Sequence, residues 1–444
     1  MNAGIKTKII CSLPIIFGIG ITAGCSNPQE LDSATARNGD GLTQTYSEFT
    51  GYKLINGQII TMDEAASVVS SLTIENDRIV SVDDTSTDVK GVSCNRFIDL
   101  KGKTVIPGLI DSHIHYVRAG SAPGHTLRSI ETVFSITALL DLIQEQAKSS
   151  LDEEVISIIG GFSPQQFNEN RVPTLQELDV AAPGHIVHGQ RGFTGPAFTN
   201  STGREFFATK GISVADDGVI AAGKVTGAAF MALKSNQSPE DRTQGLLQLQ
   251  NYANSLGLTT VVDQGGVPFP GAGLFDPAND YQAMLDLWHS DNLTVRIRSQ
   301  RLSYDSDTSP GKVEEYLNNA WSQLGDDYLR ITALGEHIVS FPRKGEVNSA
   351  YGEKIKKIAM KGWSHKQHSI SSMENAQHID AIESVNAKYP IAGLRWSLTH
   401  VFEIGHQGDL AQIDKLKSWS MGLRVQNHGY SVPTDNFPLG RTLG

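Results

Sequence analysis

The sequence predicts an α/β fold built on a (β/α)₈ TIM barrel, with a β-rich segment before it and an α+β subdomain inserted into it. Three observations carry that prediction. Strand-like apolar runs alternate with helical patterns through the second half of the chain. Short β-type runs crowd the segment from 51 to 105, and histidines close several of the later strand-like runs.

The chain has 444 residues, 39% hydrophobic and 19% charged, which is enough to bury a large core. Its formal net charge is −11 with no block of Lys and Arg, which argues against a nucleic-acid partner. The first 24 residues read as a secretory signal, with Lys6 and Lys8 ahead of an apolar core from Ile9 to Ile21. Thr22-Ala23-Gly24 then lead into Cys25, as in a bacterial lipobox, although that motif prefers Leu where Thr22 stands. The expectation is an exported lipoprotein held to the cell envelope by lipid on Cys25. With Cys11 in the signal and Cys25 lipidated, Cys94 alone remains, so no internal disulfide is expected. Residues 25–50 are polar and aperiodic and read as a flexible tether.

From 51 to 105 the pattern is that of a small β-domain. Asn56-Gly57 between Lys53–Ile55 and Gln58–Ile60 signals a hairpin, and Asn76-Asp77 between the runs of 67–81 signals a second. Barrel strand 1 is expected at Thr104–Ile110, within a segment reaching 118. Six more strands are expected over 256–444, at Leu258–Asp263, Thr294–Arg301, Leu329–Leu334, Trp363–His368, Leu394–His400 and Met421–Asn427. Helices are expected between them, one opened by Ser238-Pro239-Glu240, one from Met373 to Ala387 and one from Asp409 to Lys417. Seven strands leave the barrel one short, with strand 8 missing. Between strands 1 and 2, residues 119–255 form the inserted subdomain. It holds a helix capped by Ser135 and strands at Val155–Ile159 and His185–His188, and reads as a lid.

His113 and His115 lie two residues apart, so on a strand both imidazoles face one side. They stand where barrel enzymes build their sites, and imidazole suits Zn²⁺ and related ions. His368 and His400 end their own strands and could face the same point. Glu336 follows the Leu329–Leu334 strand, where a carboxylate could bridge two cations.

The stretches Leu54–Met62 and Ile98–His115 resemble the opening of the amidohydrolase superfamily. Gly160-Gly-Phe-Ser163, Arg171–Asp179, Ala182–Val187 and Gly257–Asp263 are similar to its YtcJ-like, or amidohydrolase-3, branch. The resemblance runs from about residue 52 onward. It implies a (β/α)₈ barrel, a flanking β-sandwich made from both chain ends, and one or two divalent ions, commonly zinc. His113, His115, His368 and His400 match the family's ligands. Three departures stand out. A strand-4 Lys that can be carboxylated in relatives is missing from Ile331–Glu336, so Glu336 is the natural substitute. A His expected before Asn200-Ser201 is replaced by Gly195-Pro-Ala197. The strand-8 Asp that binds metal and shuttles a proton is not reached, which reads as a C-terminally truncated form, and Asp435 is a poor replacement.

The expected activity is hydrolysis of a carbon–nitrogen bond in a small, non-peptide, amide-type substrate. His113, His115, His368, His400 and Glu336 would hold the metal, and Glu336 would also serve in catalysis. Asn427 and His428 would contact substrate or a developing oxyanion, and Asp263 would orient a ligand or pack as a strand-end acid. Two alternatives stay open: a lactonase or phosphotriesterase-like hydrolase on the same site, and a lipoprotein that keeps the fold without catalysis.

Overall fold

The computed structural model describes residues 51–75, 77–83, 96–192, 195–265, 281–303, 311–339, 346–401 and 410–425. Cys25, Cys94, Asn427, His428 and Asp435, named above, lie outside the described residues. The described residues divide into two units, one up to Leu109 and the other from Ile110 onward.

In the first unit an Asn-Gly pair separates β1 (Gly51–Ile55) from β2 (Gln58–Ile60), yet these strands do not pair as the hairpin signal predicts. Asn56 adopts a left-handed φ of 56° and reverses the chain locally. The two arms then join different sheets. With β3 (Val68–Val69), β4 (Ser71–Glu75), β5 (Arg78–Asp83), β6 (Arg96–Asp99) and β7 (Thr104–Val105), the orders are β5-β4-β1-β6 and β3-β2-β7. The second hairpin is present, as the antiparallel pair β4–β5. Ile59, Leu72 and Leu100 form the small core of this unit.

Strand 1 begins later than the apolar run suggests. Thr104–Val105 belongs to β7, and β8 covers Leu109–Ile114, because the Pro107-Gly108 step between them interrupts the ladder. A five-residue helix, α1 (Tyr116–Gly120), follows directly.

The insertion holds a sheet of order β13-β12-β11-β10-β9, with β9 His125–Thr126, β10 Val155–Ile159, β11 Ile186–Gln190, β12 Ala197–Thr199 and β13 Val219–Ile220. Helices α2 (Ile136–Ser149), α3 (Leu175–Ala181), α4 (Ser201–Thr209) and α5 (Lys224–Ser235) cover it. Ser135 caps α2 by accepting from the Ala138 N–H, as its sequence position suggests. Alternation puts Ile156, Ile158, Val187 and Phe198 on one face with α2 and α3. Ile186 and Ala197 lie on the other with Phe207, Ala229 and Leu233. Asn200, noted above for its missing His neighbour, is wholly occupied by structure. Its side-chain oxygen accepts from Val187 and Gly203 N–H, and its amide donates to the Ala182 and His185 carbonyls.

Helix α6 (Pro239–Ser255) starts with a Ser238–Asp241 capping box and Pro239 in its first turn. Its apolar face packs outside the insertion, in which the sequence reading placed it, although Tyr252 donates to Glu131 of that segment and the Gly245 carbonyl accepts from Arg128. Leu246, Leu249 and Ala253 meet Tyr116, Val261, Met284 and Ile297 in a core shared with α1. The remaining elements alternate: β14 (Leu258–Asp263), α7 (Gln282–His289), β15 (Arg296–Arg301), α8 (Lys312–Asn319), β16 (Leu329–Leu334), α9 (Tyr351–Met360), β17 (Lys366–Ser369), α10 (Ser372–Asn386), β18 (Ser397–His400), α11 (Leu410–Ser418) and β19 (Gly422–Val425). The sheet orders β8-β14-β15-β16 and β17-β18-β19 are joined by a parallel bridge from Leu334 to His365. Strands therefore neighbour one another in chain order, and β14–β15, β15–β16, β17–β18 and β18–β19 are parallel. Trp396, Leu398, Ile355, Ile358, Ile379 and Ile382 pack the helices onto the later strands.

Candidate metal centre

Alternation on β8 sets the two sides of the site. Ile114 packs toward the helices with Val261, Ile297 and Leu246, so His113 and His115 face the other way. The same side receives Glu336, two residues past β16, His368 on β17 and His400 at the end of β18. His113 Nε2 lies 3.6 Å and His400 Nε2 3.1 Å from Glu336 Oε2, and His115 Nε2 lies 3.3 Å from Oε1. The rings of His368 and His400 are 4.5 Å apart between centroids, and those of His113 and His400 4.7 Å. The ligand atoms of His113, Glu336 and His400 all lie within 4.8 Å of one another. All five residues that the sequence singled out for metal binding are thus brought together.

This donor set fits a cation. His115 Nδ1 is 2.9 Å from the Gly265 carbonyl, which can only accept, so the ring donates there. In the neutral imidazole that leaves Nε2 with its lone pair directed at the Glu336 carboxylate. Two lone pairs that face each other across 3.3 Å in a buried site repel unless a positive charge lies with them, either a second ring proton that donates to Glu336 or a metal ion. A divalent ion of the zinc type supplies that charge, and imidazole with carboxylate is the ligand set it takes.

Several neighbours hold these groups in place. The Thr399 hydroxyl lies 3.2 Å from Glu336 Oε2 and 3.1 Å from the Gln367 carbonyl. His400 and Val401 both sit at left-handed φ, 74° and 39°, which costs a non-glycine residue about 1–3 kcal/mol. The Val401 N–H, bonded to the Ser369 carbonyl at 2.8 Å, helps to lock that turn. Gly335, at φ 133°, precedes Glu336, and a Cβ there would come within 1.9 Å of the Lys366 carbonyl, so only glycine fits.

Asp263 is fully buried and works at the root of α1. His115 occupies the N-cap position of α1 but makes no side-chain cap. Asp263 Oδ1 accepts instead from the Val117 N–H at 3.4 Å, and Oδ2 from the Ser299 hydroxyl at 3.4 Å. The cap thus comes from the neighbouring strand, which frees the imidazole that ends β8 for the site.

Burial drives the electrostatics. It pushes the Glu336 carboxyl upward, but hydrogen bonds with His115 and His400 and the charge of His368 outweigh it and hold the group well below the usual carboxylate range. Burial lowers His368 well below its usual value, with His337 and His400 acting in the same direction. It also raises Asp263, against the charge of His115. His337, which follows Glu336 and packs 4.6 Å from His368 between ring centroids, is lowered to about 4 by burial.

Thr399, His337 and the capping role of Asp263 were not anticipated. Thr-His at 399–400 is too common a dipeptide to signal anything, and the cap depends on a contact across 146 positions.

The family profile described as "Amidohydrolase family" matches residues 96–439. Among curated relatives, Protein LONG AFTER FAR-RED 3 of Arabidopsis thaliana is 28% identical over 233 residues, 49% of this chain and 38% of that protein. An N-substituted formamide deformylase of Arthrobacter pascens is 30% identical over 134 residues, 30% of this chain and 24% of that protein. The matches thus span well under two thirds of either relative. Among solved structures, an uncharacterized metal-dependent hydrolase of Pyrococcus furiosus aligns at TM-score 0.53 with 18% identity, over 85% of this chain and 86% of that one. A second, from Pyrococcus horikoshii, aligns at TM-score 0.52 with 16% identity, over 85% and 83%.

Proposed function

Because the chain belongs to the amidohydrolase family, we propose that it is a metal-dependent hydrolase that cleaves a carbon–nitrogen bond in a small amide-type molecule. The observation that carries this reading is the buried Glu336 carboxylate met by the Nε2 atoms of three imidazoles at 3.1–3.6 Å. The relatives that include the formamide deformylase and, over 65 residues at 35% identity, a 5-methylthioadenosine/S-adenosylhomocysteine deaminase favour carbon–nitrogen chemistry.

In this reading His113, His115, His368, His400 and Glu336 hold one or two divalent ions of the zinc type. When bound, such ions supply Lewis acidity, which polarises a carbonyl and brings the ionisation of water toward neutral pH. The chain's own part is positional. His115 is kept in one tautomer by Gly265, and Glu336 is kept anionic by its imidazole neighbours. Thr399 fixes which carboxylate oxygen faces His113 and His400. Asn427 and His428 are assigned to contact with substrate or its developing oxyanion, from their place after β19 in the sequence. The seven consecutive strands are read as part of a (β/α)₈ barrel, and Cys25 as the site of a lipid anchor at the cell envelope. Among the described residues no helix is long and apolar enough to cross a membrane.

The test is to express the 444-residue chain, measure bound metal by elemental analysis, and follow hydrolysis of N-substituted formamides by mass spectrometry. About one or two ions per chain with turnover is expected. A chain that retains no ion, or one no faster than its Glu336→Ala variant, ends the proposal.

A further inference from the structure

On the strand wall from β8 to β18 the proposed ligands stand on β8, β17 and β18 and just after β16. The two strands between β8 and β16 carry glutamine instead, Gln264 just past the end of β14 and Gln300 within β15. On these strands Val261 and Ile297 pack toward the helices, and Asp263 and Ser299, two residues on, bond to one another on that same side. Gln264 and Gln300 follow them and alternate to the opposite side, which is the side of His113 and His115. The register Asp263↔Ser299 makes the two glutamines lateral neighbours. Their level is set as well. The Gln264 N–H donates to the Ile114 carbonyl at 2.8 Å, and the Gly335 N–H donates to the Arg301 carbonyl at 2.9 Å.

Both side chains are fully buried, at 0% exposure. Among the described residues, Gln264 Nε2 makes only long contacts, 3.3 Å to the Ser112 carbonyl and 3.4 Å to the Val262 carbonyl. Gln264 Oε1 and both amide atoms of Gln300 have no hydrogen-bond partner among the described residues. A buried amide without partners is strongly disfavoured, and replacing it by an apolar group of the same shape is the cheaper solution for stability alone. Two such amides side by side, on the face that carries the imidazoles, point to a ligand that completes them.

We propose that Gln264 and Gln300 form a subsite that recognises the amide group of the substrate through its N–H and carbonyl together. A carboxamide offers one acceptor oxygen and two donor hydrogens, the complement of a primary or secondary amide. An ester of the same shape lacks the N–H and leaves a glutamine oxygen unanswered. The subsite therefore selects amides over esters. The inference rests on the amide-hydrolase reading above, and its test separates the two.

The test uses the 444-residue, metal-loaded chain and its Gln300→Leu and Gln264→Leu variants, with Gln300→Met in reserve if Leu fails to fold. Unfolding midpoints are measured alone and with N-alkylformamides, and steady-state kinetics compare N-alkylformamides with the matching alkyl formates. Without ligand, Gln300→Leu is expected to raise the midpoint by about 2 °C or more, because it removes unsatisfied atoms. Its KM for formamides is expected to rise about tenfold or more, with kcat and the formate KM changed less than about threefold. A lowered midpoint overturns the proposal, since the amide then has a structural partner such as an internal water. So does an unchanged ratio of formamide to formate KM. A wild-type chain that hydrolyses neither series defeats the proposed function. In that case the subsite is decided by binding: a formamide-induced rise in midpoint that Gln300→Leu abolishes supports it, and one that persists or never occurs overturns it.

Discussion

His188 makes the stability of the insertion sensitive to acid by an amount that can be calculated. The imidazole sits in the middle of β11, fully buried, 5.7 Å from the Phe207 ring between centroids, with Nε2 3.2 Å from Gln190 Oε1. Burial lowers its pKa from 6.5 to about 4, and the bond to Gln190 only partly opposes this. The unfolded ring therefore binds a proton at a pH where the folded one does not. Stability is fully present above pH 6.5 and is lost as pH falls toward 4. At pH 5 the loss through this one side chain is about 2 kcal/mol, or roughly a 30-fold increase in opening. The assay is amide hydrogen exchange of β10 and β11 at pH 7.5 and 5.0, corrected for intrinsic rates, in wild type and in His188→Gln. The variant changes stability at both pH values, but that constant term cancels in the difference between them. Wild-type protection should fall about 30-fold more than that of the variant. An equal fall in both would refute the argument, because the buried imidazole would then not be the group that takes up the proton.

Glu336→Gln keeps the shape of the side chain and removes the charge, so affinity for Zn²⁺ is expected to fall by about 100-fold or more, read by competition with a chromogenic chelator. Thr399→Val removes the hydroxyl beside Glu336 Oε2, with an expected loss of about tenfold in the same assay, and Thr399→Ser should restore most of it. Asp263→Ala removes the acceptor at the start of α1 and should lower stability by about 1–3 kcal/mol in urea unfolding; a change within about 0.5 kcal/mol would show that α1 does not depend on this cap.

Much of the framework was legible because it depends on short-range pattern. The strands Val155–Ile159 and Leu329–Leu334 have the expected bounds, and Ser135 and Ser238 cap the helices they precede. Where partners are remote, the reading failed. Asn56-Gly57 encodes a chain reversal, but nothing local says that β1 will pair with β4 and β6 while β2 goes to β3 and β7. Trp363–His368 and Leu394–His400 were expected to be strands throughout, but pairing begins only at the His365 bridge and at Ser397. Trp363 and Trp396 are apolar because they lie in the helix-facing core. Among the described histidines, strand-end position picked out four that meet Glu336 or one another, but not His337, which packs on His368. It gave no sign that His365 and His378, equally buried, would belong to the core beside Tyr351. His365 precedes β17 on the side opposite His368, and His378 stands on α10, so which side each ring faces is settled only when the helices dock.

The backbone carries a further argument about how the centre is made. A strand that ran straight through His400 would present Thr399 and His400 to opposite faces, yet both reach Glu336 Oε2. The left-handed turn at His400 and Val401 reconciles the two, by swinging the ring back to the side of the hydroxyl. Val401 is β-branched and strongly resists that conformation, so the turn is not a local preference of the sequence. It is imposed by the Ser369 carbonyl on one side and by the buried contacts of Val401 in the helix-facing core on the other. Packing several residues away thus supports an unfavourable backbone whose visible result is a hydroxyl and an imidazole on one carboxylate oxygen. Glu336 enters from the end of β16, two strands away, past a glycine that no other residue could replace. A fold that needed only to be stable would have relaxed both features, and their joint presence at one carboxylate is the mark of a site whose geometry matters more than its local strain.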